Sequence, residues 1–287
     1  MHGSGEGIVS SPHDGVRGVF FIKTRGTAPS INPSKISKQM KINLRKRRGF
    51  TLVELLVVIS IIATLAGVGV PVIMSKIKDG ARAEAIGNIK QVGLAMFTFD
   101  QDYGSYPCDA TGIEVKNNNP DTAFNFGSNT SNDFFRQLIA AGAIDTEKSF
   151  YAKAPYTRKA DNVMSQGKCL AAGECGFAYI MATNTEPLSS SGNSGRPLLA
   201  AAVYEGATNG TFDADVYAKK AVIFRIDNSA TAEPVRPSDK KVLVGGGKTL
   251  LQGGDKDTVW GVDINPVLKA PEKSRGAATG QVNPEAP

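Results

Sequence analysis

Glu54 is the first residue whose chemistry needs explaining. It is the single charge in the 25-residue run from Phe50 to Met74, FTLVELLVVISIIATLAGVGVPVIM. An ionised carboxylate inside an apolar helix is costly, and such a group marks function because it needs a cationic partner. A free α-amine at a nearby helix start would serve, and a cut just before Phe50 would create one. Counting excludes other chemistry. The two histidines, His2 and His13, both precede this run. From Phe50 onward the chain therefore has no Ser-His or Cys-His pair and no histidine-bound zinc, and no enzyme activity is expected of it. Gly245-Gly246-Gly247-Lys248-Thr249 imitates a phosphate-binding loop, but Val242 stands where the pattern needs its first glycine, so the segment reads as a turn. Cys169 and Cys175 flank LAAGE, a short loop that a disulfide could close; Cys108 is left over, to stay free or to replace one of the pair. Asp255, Asp257 and Asp263 gather around Trp260. Carboxylates so spaced could bind calcium or stand as solvated loop acids, and they do not fit an EF-hand. No other cofactor is expected.

The apolar run positions these groups. As a helix it spans about 37 Å, enough to cross a bilayer core and longer than the apolar part of a cleavable secretory signal. Arg45, Lys46, Arg47 and Arg48 come directly before it. The positive-inside rule places that end in the cytoplasm and the long C-terminal body outside, where thiols are oxidised and a Cys169–Cys175 bond is expected. The charge pattern agrees. The whole chain carries +6, but ten of its 33 basic and two of its 27 acidic residues lie before Phe50, so that stretch holds +8 and the remainder −2. The basic excess orients the chain, and no nucleic-acid partner is expected of the body.

Arg45-Lys46-Arg47-Arg48-Gly49-Phe50-Thr51-Leu52-Val53-Glu54 resembles the processing site of type IV pilins and type II secretion pseudopilins. The resemblance implies a prepilin peptidase that cuts after Gly49 and methylates Phe50. It implies that Glu54 neutralises the amine of a neighbouring subunit during assembly, and that Pro71 is the kink proline of the helix. The partners it implies are copies of this chain, related pilins or pseudopilins, and an inner-membrane assembly platform. The localisation it implies is a single-pass inner-membrane protein that later joins a periplasmic or surface filament. A major pseudopilin is the nearest type, and such proteins hold calcium in a C-terminal loop. Leaders in this family are usually short. Residues 1–49 would make a long one, and the expectation is that Met40 is the start and residues 1–39 a misassigned extension. The competing reading is a membrane-anchored binding or DNA-uptake protein that does not polymerise.

Beyond Met74 the helix turns amphipathic. Ile77, Ala81, Ala85, Ile86, Ile89, Val92, Met96, Phe99 and Tyr103 recur every three or four residues, with charges between them. This predicts one continuous helix, membrane-spanning over 50–74 and amphipathic over 75–103, ended by Gly104 and Pro107. Its stripe should pack under a sheet. Residues 104–130 read as loop. A short helix follows around Phe134–Ile139, capped by Asn132 or Asp133. Strands are predicted at 176–182, 197–204, 221–226, 241–244 and 258–264. A long helix followed by strands gives an α+β class with an antiparallel sheet, a globular domain over 104–268, and a disordered tail from Lys269.

Overall fold

The computed structural model describes residues 49–120, 124–165, 168–204, 206–244 and 247–273. The leader and its basic run, Arg45, Lys46, Arg47 and Arg48, lie outside the described residues, as does the chain beyond 273. The chain divides into two compact units, residues 1–54 and 55–287.

In the first unit, Gly49 and Phe50 are exposed and precede helix α1 (Leu52–Tyr103), which begins in this unit. The second unit holds the rest of α1 and the body. From Leu55 to Met74 the large apolar side chains of α1 whose packing is described are all exposed; Leu65 is 69% and Ile73 59% exposed. Pro71 lies inside the helix. From Ala81 onward the character changes. Ala81, Ala85, Ile89, Val92, Ala95, Met96 and Phe99 are buried, in the predicted three-and-four rhythm, while Ile77 remains exposed. Gly104, at φ +72°, ends the helix and donates its N–H to Asp100 O at 2.8 Å.

The buried stripe packs on an antiparallel sheet of five strands: β1 (Phe177–Met181), β2 (Pro197–Ala201), β3 (Lys220–Arg225), β4 (Ala230–Pro234) and β5 (Val267–Lys269), in the order β4-β3-β2-β1-β5. The architecture is α+β and pilin-like. β1 and β2 are buried at every position, as central strands covered on both faces must be. Gly93 sets the closeness of helix and sheet: a Cβ there would fall 2.0 Å from Cζ of the buried Phe224 ring on β3. Two short helices complete the body, α2 (Asp109–Asn118) and α3 (Ser131–Ala140).

Five expectations need correction. Residues 104–130 are not all loop, because α2 lies within them; Cys108 N–H donates to Thr111 Oγ1 at 2.8 Å, holding its first turn. The cap of α3 is Thr130, not Asn132 or Asp133. Asp133 Oδ2 instead accepts from Thr130 N at 3.0 Å and Thr130 Oγ1 at 2.9 Å, reaching back one turn. Residues 241–244 make only isolated bridges, Lys241 to Thr211, Val242 to Val235 and Leu243 to Thr249. Residues 258–264 form a turn, because Thr258 bonds back to Asp255 O and Gly261 takes φ +73°. Trp260 in that turn is fully buried and donates Nε1–H to Leu250 O at 2.8 Å. Lys269 does not begin a disordered tail. It pairs with Tyr179 in β5, and the next residues are tied to α3: Ser131 N–H bonds Ala270 O, and Glu272 N–H bonds Asn132 Oδ1 at 2.8 Å.

Candidate assembly site

The N-terminal end of α1 is built by four residues, Thr51-Leu52-Val53-Glu54. Thr51 stands just before the first helical residue, where about four backbone N–H groups would otherwise lack partners. Glu54 Oε2 accepts from Thr51 N at 2.8 Å and from Thr51 Oγ1 at 2.9 Å, and Glu54 N–H donates back to Thr51 Oγ1 at 3.2 Å. This is a reciprocal capping box. Glu54 is therefore a helix-start residue as well as a lone charge in an apolar run. The sequence signal, Thr-x-x-Glu, was there to be read. All the hydrogen bonds that Glu54 accepts among the described residues fall on Oε2, so Oε1 keeps its acceptor capacity. The carboxylate also lies where the positive end of the helix dipole favours it.

Gly49 and Phe50 lie outside the helix. Phe50 is 79% exposed, and no atom beyond the adjoining residues lies within 4 Å of where a Cβ on Gly49 would stand. The Gly49–Phe50 bond thus lies in exposed chain ahead of the helix. Pro71 lies well inside α1, in the stretch where every described large apolar side chain is exposed.

The remaining predicted site residues are placed differently. Cys169 and Cys175 are buried free thiols and are not joined, as is Cys108. Cys175 points to Phe177 O at 3.4 Å, with Ser131 Oγ at 4.0 Å, while Cys169 adjoins Glu147. Burial pushes both thiols up to about 12. Asp255, Asp257 and Asp263 do not form one ligand set. Asp255 Oδ2 is taken by Lys248 Nζ at 2.6 Å, which holds its carboxyl below the usual range, and Asp257 and Asp263 are exposed. Val244 N–H donates to Lys248 O at 2.9 Å, while Gly245 and Gly246 of the glycine-rich segment lie outside the described residues. Among the described residues, the carboxylates that do converge are Glu147, Asp161 and Glu174, a grouping that their spacing in the sequence did not suggest.

One long apolar helix with an exposed glycine–aromatic junction and a carboxylate at its start, followed by an antiparallel sheet, is a pilin-like arrangement. The comparisons agree and go further. Residues 44–70 match the prokaryotic N-terminal methylation motif. Over 71 residues the chain is 35% identical to the type II secretion system core protein G of Pseudomonas aeruginosa, covering 25% of this chain and 50% of that protein. It is 36% identical over 69 residues to the protein of the same name from Escherichia coli K12, 24% of this chain and 48% of that one. With the Aeromonas hydrophila protein it shares 32% over 79 residues, 28% of this chain and 55% of the other. The chain thus spans about half the length of the curated relatives it matches. No solved structure matches it significantly. These findings show a prepilin-type N-terminus, in a chain that shares about a quarter of its length with proteins named type II secretion system core protein G. One helix among the described residues is long and apolar enough to cross a membrane.

Proposed function

We propose that the chain is a structural subunit of a type II secretion pseudopilus, or of a closely similar pilus-like filament, and not an enzyme. The observation that carries this is the first half of α1. It is apolar on every side and uncovered: within its 18-residue apolar stretch no residue is buried. A helix without a polar face must lie in lipid or among other apolar helices. The proposal uses both in sequence. The helix spans the inner membrane in the precursor, with the basic leader cytoplasmic and the body outside, and then forms the filament core with copies of itself and related pseudopilins.

A prepilin peptidase cuts after Gly49 and methylates Phe50, which frees an α-amine one residue ahead of Thr51. In the filament, Glu54 uses its open Oε1 to receive the amine of a neighbouring subunit. In a dry core neither charge is tolerable alone, so only the stacking offset that joins them is stable. Pro71 removes one backbone hydrogen bond from α1 and lets the helix bend where subunits pack. An inner-membrane assembly platform adds each subunit. Supporting the reading are the methylation motif over residues 44–70 and the relatives named for the type II secretion system.

Mass analysis of the protein from membranes and from a sheared filament fraction tests this. The expected chain begins at N-methylated Phe50 in both. A membrane-bound chain that keeps Gly49 and never enters a filament fraction would instead favour the anchored, non-polymerising reading.

A further inference from the structure

A second charged site lies in the body, between α3 and β1. Glu147 opens a single 3-10 turn (Glu147–Phe150) and is fully buried. Its Oε1 accepts from Leu170 N at 2.5 Å, and its Oε2, also buried, has no hydrogen-bond partner. The Cys169 thiol, which interacts with this carboxylate, is at best a weak donor. Glu174 is likewise fully buried. Its Oε2 accepts from Ala171 N at 2.8 Å, and its Oε1 meets Arg158 at 3.2 Å and Asp161 N at 3.4 Å. Asp161 is exposed and closes the group on the solvent side. One carboxylate oxygen from each of the three lies within 4.8 Å of the others.

Two fully buried carboxylates side by side are costly, and an unpartnered buried oxygen adds to the cost. The half-exposed Arg158 is the one cation bonded to the group among the described residues, and it meets only Glu174. From these observations we propose that Glu147, Glu174 and Asp161 bind a divalent metal ion of the calcium type. The donors are all hard oxygens, without histidine or thiolate, which selects calcium or magnesium over transition metals. Calcium, with bonds of about 2.3–2.6 Å, can bridge oxygens up to about 5 Å apart, whereas magnesium at about 2.1 Å cannot reach beyond about 4.2 Å. Water entering beside Asp161 completes the shell. The ion joins the 3-10 turn to the loops carrying Asp161 and Glu174, and so clamps the segment that leads into β1. This site is separate from the aspartates around Trp260 and does not depend on filament assembly.

The test uses the full-length chain in detergent, stripped with EDTA and titrated with calcium or magnesium chloride while thermal unfolding and binding heat are followed. Calcium is expected to raise the melting temperature by about 3 °C or more at saturation, with magnesium giving a much smaller rise. Asp161→Asn, at an exposed position, should fold normally and bind calcium at least tenfold more weakly. Glu147→Gln should lose the response while remaining folded in EDTA, and Asp255→Asn should leave it intact. No calcium response in the wild type, an unchanged response in both Asp161→Asn and Glu147→Gln, a response lost only in Asp255→Asn, or an equal response to magnesium would each overturn the proposal.

Discussion

Gly93→Ala tests how the long helix is seated on the sheet. Two effects oppose each other. Alanine favours a helix interior over glycine by about 1 kcal/mol, so propensity alone predicts stabilisation. The added Cβ, however, would stand 2.0 Å from Phe224 Cζ and 2.4 and 2.5 Å from Cε1 and Cε2. Carbon atoms pack at about 3.5–4.0 Å, so helix and ring must separate by about 1.5 Å. Phe224 has no room to yield: it is fully buried, and β3 is held between β2 and β4. Overpacking of this kind costs about 1–3 kcal/mol and occasionally more. Against the propensity gain of about 1 kcal/mol, the net loss is up to about 2 kcal/mol. For a body of this size that lowers the melting temperature by up to about 4–8 °C. Gly87→Ala is the control. It lies six residues earlier on the same helix, is exposed, and has nothing within 4 Å of an added Cβ. It should gain about 0.5–1 kcal/mol and raise the melting temperature by about 2 °C. Thermal unfolding of the full-length chain in detergent reads both. If Gly93→Ala is as stable as Gly87→Ala, the helix does not rest on Phe224 as described.

Two further outcomes follow from the body. Arg136 donates to Cys169 O at 2.9 Å, Leu170 O at 3.0 Å, Asp133 at 2.7 Å and Glu272 at 3.1 Å, so Arg136→Ala should destabilise by about 2–3 kcal/mol; a loss under 1 kcal/mol in chemical denaturation would show that this junction is not held by the guanidinium. Because Cys169 and Cys175 are buried and their thiols are raised to about 12, they should resist a thiol reagent in the native protein, and all three cysteines should react after denaturation without reductant; a single reactive thiol after denaturation would restore the disulfide.

The long helix was legible because its signal is redundant. An unbroken apolar run and a three-and-four stripe from Ala81 to Phe99 both exceed any competing pattern, and Gly104 marks the end. The central strands β1, β2 and β3 were legible for a similar reason, as short runs of apolar residues between turn residues. What the sequence hid was held by tertiary context. β4, Ala-Thr-Ala-Glu-Pro, has little apolar content, and its edge position is secured by pairing with β3 and by the Arg225–Glu233 bridge at 2.9 Å. β5 has three residues and forms because β1 offers it an edge. Residues 258–264 carry the right residue types for a strand, but Trp260 is drawn inward and the backbone turns around it. In the assembly site, the residues and their spacing were plain from the sequence, whereas the capping role of Glu54 needed the position of Thr51. The acids Glu147, Asp161 and Glu174 are far enough apart in the chain that only folding brings them together.

The central claim is that Glu54 joins one subunit to the next. It is tested most directly by comparing wild type and Glu54→Ala for membrane insertion, processing and filament yield in the same cells. Normal insertion and a processed N-terminus at Phe50 are expected, with filament yield reduced at least tenfold, since a buried amine left without its carboxylate costs about 3–5 kcal/mol. Filaments at wild-type yield from Glu54→Ala would contradict it.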